Sequence, residues 1–323
     1  MQDPLFLVGL FLGGSLLMLW RLEHMTQTGL EGTVLGTLVM PYCSGIGNLV
    51  FVYVARRQAL EGSEVVVNCI VNNVTNMTLL IGVPALFWGV RTVRARSNRK
   101  KKEAAEQRLN RLSIFLTLTA VLFFTGVTWA LGSDDGKFSR TDGLVLVGLF
   151  LFWQCFHVFE VLKSNVRRNR SLSWILGLDF LLLLLGGFDV YLSVQGLVEW
   201  ISRIETGFPS VHQAGWLSGW LMVLPNALLA LYYGWRRRPE VVYTSQIGDG
   251  HICIPLCIGL SALVAPATHP VTTTDVFQSG VLILTGSVLV HYLVVGLFGH
   301  LPRFFGLVLT LIYGWFLYTG LVN

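Results

Sequence analysis

Apolar stretches of about 20 residues, separated by short charged loops, recur along the whole of this chain of 323 residues. Such a stretch, coiled as a helix, matches the roughly 30 Å hydrocarbon core of a bilayer. Charged residues make up only 13% of the chain, against about 25% in an ordinary soluble domain. The pattern therefore predicts an all-α integral membrane protein, with the lipid bilayer as its first partner.

The sequence predicts ten transmembrane helices. They lie near residues 4–20, 30–55, 64–90, 112–131, 143–162, 174–197, 213–234, 241–265, 276–298 and 303–321. The first stretch resembles a signal peptide in its position, but it begins beside Asp3 and no small-residue cleavage site follows it. We therefore expect it to be retained as the first span.

The basic residues predict the orientation. Ten spans make the loops alternate between two sides, and 18 of the 23 lysines and arginines fall in the loops after spans 1, 3, 5, 7 and 9. The positive-inside rule places that side in the cytoplasm and both termini outside. The plasma membrane or a bacterial inner membrane is the default location. The net charge of +5 thus reflects topology, and no nucleic-acid partner is expected.

Four of the ten spans carry polar or helix-breaking residues near their middle. Span 2 contains the segment from Pro41 to Asn48, and span 7 contains Pro225 and Asn226. The polar residues of spans 3 and 8 are Asn68, Asn72, Asn73, Thr75, Asn76, Thr244, Ser245, Gln246 and Asp249. Backbone groups freed by Gly and Pro need partners inside a membrane. Polar side chains at the same depth supply those partners or line a wet cavity.

The two polar pairs of spans repeat each other. Nearly the same interval separates Asn48 from Gly82 and Asn226 from Gly259, with an Arg cluster and a Glu-Val-Val segment between them in both copies. Each pair forms the second and third span of a five-span half, and an odd number of spans inverts the second copy. We predict repeats at 1–162 (motif pair 40–82) and 174–323 (motif pair 219–259), joined by a basic cytoplasmic connection at 163–173. Inverted repeats are typical of secondary transporters with a site at the membrane midplane.

This pattern resembles the sodium/calcium exchanger superfamily of cation/calcium antiporters. Each repeat of that family carries a Gly-Thr-Ser-x-Pro-Glu motif and then a Gly-Asn-x-x-Gly-Ser-Asn-x-x-Asn motif. The first motif falls on 43–48 and 221–226, and the second falls on 67–76 and 244–253. The resemblance implies ten helices as two inverted five-helix repeats, and cation antiport by alternating access. It also implies that spans 1 and 6 slide across a core of spans 2, 3, 7 and 8.

The departures from the family pattern bear on the ion. The family's calcium-binding glutamates correspond here to Asn48 and Asn226. An amide oxygen is still a hard ligand for Na⁺ or Ca²⁺, but it supplies no negative charge. Only Asp249 in span 8 retains an acid, and one carboxylate balances one monovalent cation. We therefore predict antiport of Na⁺ or H⁺, alone or with a neutral or weakly charged partner substrate. Ca²⁺ would require that Asp249 and several amides suffice.

The predicted ion-binding residues are polar residues of the four core spans. They are Asn48, Asn73, Asn226 and Asp249, with Ser44, Asn68, Asn76 and Ser245 as secondary candidates. Asp249, Asn48 and Asn226 are the predicted metal ligands, and no cofactor is expected beyond a transported Na⁺ or Ca²⁺. The alternative is that these residues only make interhelical hydrogen bonds, each worth about 1 kcal/mol.

Other polar residues have two interpretations each. Cys253 and Cys257 share a helical face, which suits a soft metal or simple buried packing. The pair His157 and Glu160 could bind a metal or relay protons, and Glu160 could instead pair with a nearby base.

Acidic residues elsewhere in the spans also allow more than one interpretation. Asp179 and Asp189 in span 6 could line a second polar path or find partners within the bundle. Glu64 and Glu240 begin spans 3 and 8, where a negative charge favours the helix dipole.

Two other functional classes are alternatives to transport. An intramembrane enzyme is not expected, because the chain has neither His-Glu-x-x-His nor Gly-x-Ser-x-Gly. A non-transporting scaffold or sensor that keeps the exchanger fold is the stronger alternative. It would tolerate Leu or Ala at Asn48, Asn226 and Asp249.

Overall fold

The computed structural model describes residues 3–27, 40–91, 102–165, 175–204, 210–236, 253–266, 270–298 and 300–322, together with Val242 and Gln246. The helices are α1 (Pro4–Gln27), α2 (Met40–Arg57), α3 (Gly62–Met77), α4 (Leu79–Trp88), α5 (Lys102–Ser133), α6 (Arg140–Asn165), α7 (Ile175–Ile201), α8 (Ala214–Trp235), α9 (Ile258–Val264), α10 (Asp275–Leu297) and α11 (Arg303–Val322). A 3₁₀ turn, Val211–Gln213, precedes α8, and a π-helical segment, Cys253–Cys257, runs into α9.

The described helices account for the predicted apolar stretches. Each of the ten predicted stretches contains helix. Within the described residues, seven stretches are long and apolar enough to cross a membrane. They are α1, α3 with α4, α5, α7, α8, α10 and α11. The protein is therefore an all-helical, multi-pass membrane protein, as the hydropathy pattern predicted.

One predicted span is two helices. The stretch predicted at 64–90 breaks at Thr78, whose φ of −113° and ψ of −72° interrupt the helix between α3 and α4. The side chain of His291 from α10 contacts the carbonyl oxygen of Met77 at this break, at 2.9 Å from its Nε2. A ring N–H can donate to a carbonyl oxygen, so His291 provides a partner for backbone at the interruption.

Two short antiparallel ladders tie the loops together at opposite ends of the bundle. Strand β1 (Val90–Arg91) pairs with β4 (His300–Leu301), and β2 (Lys137–Phe138) pairs with β3 (Val271–Thr272). Strand β3 precedes α10 and β4 follows it. Because α10 has 23 residues, about 35 Å of helix separates the two ladders.

Helix packing divides the bundle into a pair and a core. Helix α1 packs along α7, while α3 packs on α8 and α10, and α4 packs on α11. Glycines allow the closest approaches: a Cβ on Gly14 of α1 would lie 2.7 Å from the carbonyl oxygen of Gly186 of α7. Small residues at such crossings let helix backbones meet, which is how helices associate in lipid.

Candidate functional site

Four asparagines in α3 lie fully inside the bundle. They are Asn68, Asn72, Asn73 and Asn76, each at most 1% exposed. Helix α3 lies between α8 and α10, so its whole surface is covered by protein, not lipid. Polar side chains can occupy such a helix because they never face the hydrocarbon. Three of the predicted site residues, Asn68, Asn73 and Asn76, are thus buried on one helix.

The amide nitrogens of these asparagines are bound, and this fixes how the amides point. Asn73 donates from Nδ2 to the carbonyl oxygen of Cys69 at 2.7 Å, and Asn76 donates to Oδ1 of Asn72 at 3.0 Å. Asn68 donates to the hydroxyl of Ser218 in α8 at 2.9 Å. A carbonyl oxygen can only accept, so the nitrogen of Asn73 must face Cys69 and its oxygen must face away.

The oxygens of the same side chains are buried without a hydrogen-bond partner. Among the described residues, Oδ1 of Asn68, Asn73 and Asn76 accepts no hydrogen bond. Oδ1 of Asn48, in the middle of α2, is in the same state. A buried acceptor that has no partner costs about 1–3 kcal/mol. A cation and a water molecule are the chemical groups that would satisfy them.

Asn48 lies where α2 meets two other helices. It is 2% exposed, and the preceding Gly47 packs so closely that a Cβ there would strike the sulfur of Met222 in α8. That Cβ would also lie 3.4 Å from Cε2 of Phe11 in α1. Asn48 therefore lies next to a crossing of α1, α2 and α8, and its predicted role in ion binding stays a prediction.

Asn226 occupies the matching place in α8. It is 5% exposed and follows Pro225, which removes one backbone donor within the helix. Its carbonyl oxygen accepts a hydrogen bond from Nε2 of Gln246 at 3.4 Å. Gln246 therefore joins the predicted residues as a contact of the second repeat's asparagine.

The remaining predicted site residues cannot be placed. Asp249 and Ser245 lie outside the described residues, and so does the side chain of Ser44 within α2. His157, Glu160 and Glu240 also lie in the part of the chain whose side chains are not described. Their assigned roles stay predictions from sequence.

A cluster of buried thiols adjoins the asparagines, and sequence reasoning found only part of it. Cys69 of α3 hydrogen-bonds with Cys257, which also bonds with Cys253. The sulfur of Cys253 lies 3.9 Å from Oδ1 of Asn72. Within the described residues, no group of three or more His, Cys, Asp or Glu side chains is arranged to hold a metal ion. The thiols therefore pack spans 3 and 8 together beside the amides.

The charged residues near the core have partners at its ends. Glu64, at the start of α3, accepts a hydrogen bond from the backbone N–H of Gly215 at 2.5 Å, at the N-terminus of α8. Asp179 of α7 is buried and lies 3.4 Å from Nη1 of Arg21 and 3.3 Å from Nδ1 of His24, both on α1. Of the two interpretations of Asp179, partnering within the bundle is the one observed.

A family model describes nearly the whole chain. The model of the family "Sodium/calcium exchanger protein" matches residues 4–159 and 178–322. No curated protein matches the chain. The expectation drawn from the two repeat motifs is thus confirmed at the level of the family.

Solved structures of one exchanger share the fold. NCX_Mj, a sodium-calcium exchanger, matches with 18% identity and a TM-score of 0.66 in a crystal soaked with Na⁺ and Sr²⁺, covering 96% of this chain and 97% of that chain. A crystal soaked with Na⁺ and Ca²⁺ gives 18% identity, a TM-score of 0.65, and coverage of 99% and 97%. The crystal soaked without Na⁺ and Ca²⁺ matches with 18% identity and a TM-score of 0.61, and the match covers 95% of this chain and 97% of that chain.

Fold and family agree along the full length. The exchanger motifs, the apolar helices and the buried asparagines of α3 all fall within the matched residues. Members of this family move cations across membranes, and they are transporters, not enzymes. The chain belongs to the sodium/calcium exchanger protein family and is a multi-pass membrane protein of the cation antiporter class.

Proposed function

We propose that this protein exchanges a monovalent cation, Na⁺ or H⁺, by alternating access around a site of asparagine amides at the membrane midplane. Asn48, Asn73 and Asn226 line that site, and Asp249 supplies its negative charge. Asn68, Asn76, Ser44 and Ser245 are secondary ligands. Both termini lie outside, in a plasma membrane or a bacterial inner membrane.

The single observation that supports this proposal is the set of four buried asparagine oxygens without partners. Each belongs to a core helix, and each is a hard donor of the kind that alkali and alkaline-earth ions take. The alternative role of these residues, hydrogen bonding within the helix bundle, explains why the amide nitrogens have partners. It leaves the oxygens without a partner, which a bound cation or water molecule would supply.

The charge of the site favours a monovalent ion. The buried polar residues described in α2, α3 and α8 carry only neutral amide and hydroxyl groups. A divalent ion in a low-dielectric site without counter-charge is strongly unfavourable. One carboxylate from Asp249 balances Na⁺ or a proton, but it leaves Ca²⁺ with an excess charge of one. Ca²⁺ exchange is therefore disfavoured.

Two ladders support an inverted repeat of five helices. Strand β4 precedes α11 by the same number of residues as β2 precedes α6. In the first ladder Val90 pairs with Leu301, which lies two residues before α11. In the second ladder Val271 pairs with Phe138, which lies two residues before α6. The strand after span 3 thus pairs with the strand before span 10. In the same way, the strand after span 8 pairs with the strand before span 5.

Close glycine contacts follow the same symmetry. A Cβ on Gly306, the fourth residue of α11, would lie 2.7 Å from the carbonyl oxygen of Gly82. A Cβ on Gly143, the fourth residue of α6, would lie 2.7 Å from that of Gly259. Gly82 and Gly259 are the glycines that end the two motif pairs. These contacts support repeats at 1–162 and 174–323, with the connection at 163–173.

The pair α1–α7 is the moving part in this proposal. A cavity of about 310 Å³ lies at one end of the pair, between it and α8. Its lining is almost wholly apolar, and its polar member is Ser218, which binds Asn68. Space that side chains leave unfilled lets a helix pair shift against the core with few contacts broken.

Calorimetric titration of the purified protein with Na⁺ and with Ca²⁺ measures ion binding and tests the proposal. We expect Na⁺ or proton-linked binding in the wild type, and its loss in Asn73→Ala and Asp249→Asn. Gln278→Ala is the matched control, because Gln278 is an exposed amide in α10. Ca²⁺ binding that Na⁺ displaces and Asp249→Asn abolishes would contradict the monovalent assignment. Absence of binding and of any proton release would favour the scaffold or sensor.

A further inference from the structure

Three acids occur ten residues apart along α7, and the middle one differs from the others. Asp179 lies beside Arg21 and His24, and Glu199 pairs with Nη2 of Arg203 at 2.5 Å. The carboxylate of Asp189 has no hydrogen bond or ion pair with any described residue. The two outer acids are thus neutralised by bases, and the central acid is not.

Asp189 lies at the depth where a bare charge costs most. It is near the middle of α7, a helix of 27 residues, so about 20 Å of helix separates it from either end. Its Cβ lies 2.9 Å from where a Cβ on Gly14 would stand, at the close crossing of α1 and α7. The residue is half-buried, at the edge of that seam.

No described base stands near Asp189. On its own helix, Asp179 and Glu199 are each about 15 Å away along the axis. The phenols of Tyr53 on α2 and Tyr191 on α7 contact each other. The charged side chains described on the two helices packed on α7 lie near helix ends. They are Arg21, Glu23 and His24 on α1, and Arg56 and Arg57 on α2. An ionised carboxylate in the hydrocarbon without a counter-charge is expensive, so a bound cation must neutralise it.

A cavity opens near Asp189 on the same helix. A cavity of about 470 Å³ lies along the same seam, with Glu199 and Arg203 among its polar lining residues and Leu192 at its deeper end. Leu192 is one turn along α7 from Asp189. On the other side of the seam, a Cβ on Gly13 would meet no atom within 4 Å. The cavity therefore brings open space to within about one helical turn of Asp189.

We propose that Asp189 is a second cation-binding site, which holds a proton or a sodium ion on the pair α1–α7. The site lies apart from the asparagine amides of α2 and α3, and its evidence does not depend on them. In an exchanger whose pair α1–α7 moves, a carboxyl on that pair would carry its cation with it. A neutralised Asp189 can pass through hydrocarbon, whereas a bare carboxylate cannot.

Dicyclohexylcarbodiimide tests the site directly, because it reacts with protonated carboxyls in apolar surroundings. The acid adds across a C=N bond to give an O-acylisourea, and the acyl group then migrates to nitrogen. The whole reagent stays on the residue and nothing leaves. Full-length protein in sodium-free detergent solution would be labelled, digested and read by mass spectrometry.

We expect labelling of Asp189 that falls at least tenfold as the pH rises from acidic to alkaline. Slower labelling on adding Na⁺ at one pH would mean that Na⁺ also binds, and no effect of Na⁺ would restrict the site to protons. Glu199→Gln should keep the label on Asp189, and Asp189→Asn should lose it while eluting as a folded protein. Absence of label on Asp189 at every pH would overturn the proposal.

The experiment separates this site from the amide site. Asn73→Ala should remove the cation binding proposed for α3 and leave the labelling of Asp189 unchanged. If Asn73→Ala keeps full cation binding but Asp189 is labelled, only the amide site fails. If Asp189 is never labelled but the asparagine variant loses binding, only the carboxyl site fails.

Discussion

By the sequence motif, Asn48 is predicted to take the place of a glutamate of the exchanger family, with Oδ1 as its acceptor atom. The oxygen is buried and without a described partner, so Asn48→Asp would change charge with almost no change of shape. At an effective dielectric constant of 20, two opposite unit charges 4 Å apart attract each other by about 4 kcal/mol. We expect Ca²⁺ affinity to rise by at least about tenfold, which needs only about 1.4 kcal/mol.

Calorimetric titration of Asn48→Asp with Ca²⁺ and with Na⁺ measures this change. Gln278→Glu is a suitable control, because Gln278 is an exposed amide in α10 and takes no part in the proposed site. Equal gains in both variants, or no gain in Asn48→Asp, would show that Asn48 does not face the ion.

His291 is the second residue whose role depends on one contact. It is fully buried, and its ring lies 2.9 Å from the carbonyl oxygen of Met77 at the break between α3 and α4. His291→Leu removes the donor and leaves a buried acceptor, at a cost of about 1–3 kcal/mol. We expect a lower thermal midpoint in detergent for His291→Leu and a partial recovery in His291→Gln, which keeps an N–H. Equal midpoints for the two variants would contradict a hydrogen-bonding role.

At the residue scale, the sequence predicted the polar spans but not their partners. The asparagines of α3 stand out because four amides in an apolar stretch have no ordinary explanation. Cys69, His291 and Arg21 carry no such local signal, because each acquires its role from a helix more than 100 residues away. Asp249 remains a prediction.

At the scale of elements, the turn after α2 contains a strained backbone conformation. Ala59 has a φ of +54°, and Leu60 donates its N–H to the carbonyl oxygen of Ala55 at 3.0 Å. This is the hydrogen bond of a Schellman ending, in which the left-handed residue is usually Gly. An alanine there costs roughly 1 kcal/mol.

Replacing that alanine should stabilise the protein. Ala59→Gly is expected to raise the free energy of unfolding by about 0.5–1 kcal/mol, because it relieves the left-handed strain. Ala55→Gly, inside the same helix, should lower it by about 1 kcal/mol. Denaturant titration in detergent measures both. A loss of stability in Ala59→Gly would mean that the turn is not strained.

Element boundaries were predicted well where charge or glycine marks them, and poorly inside polar spans. The ends of α7, α8, α10 and α11 fall within a few residues of the predicted ones. The break at Thr78 was not predicted, because no Gly or Pro stands there. Tertiary contacts, above all His291, make it tolerable. The π-helical turn at Cys253–Cys257 has a partial signal in Pro255.

At the scale of the whole molecule, the proposed inverted repeat predicts that two glycine contacts are equivalent, and this has a measurable consequence. A Cβ on Gly143 or Gly306 would stand 2.7 Å from a carbonyl oxygen of the facing helix. Backbone at that distance cannot rotate away, so the two helices of each contact must separate. We expect Gly143→Ala and Gly306→Ala each to cost about 1–3 kcal/mol.

Each helix supplies its own control. Gly148 of α6 and Gly314 of α11 face outward, and a Cβ on either would meet nothing within 4 Å. Alanine there should be neutral or stabilising by up to about 1 kcal/mol, through helix propensity. Thermal unfolding of the four variants in one detergent compares the repeats. If only one of Gly143→Ala and Gly306→Ala destabilises the protein, the two halves do not share this contact. Similar losses in both, with unchanged controls, would agree with one packing arrangement used twice, once in each orientation across the membrane.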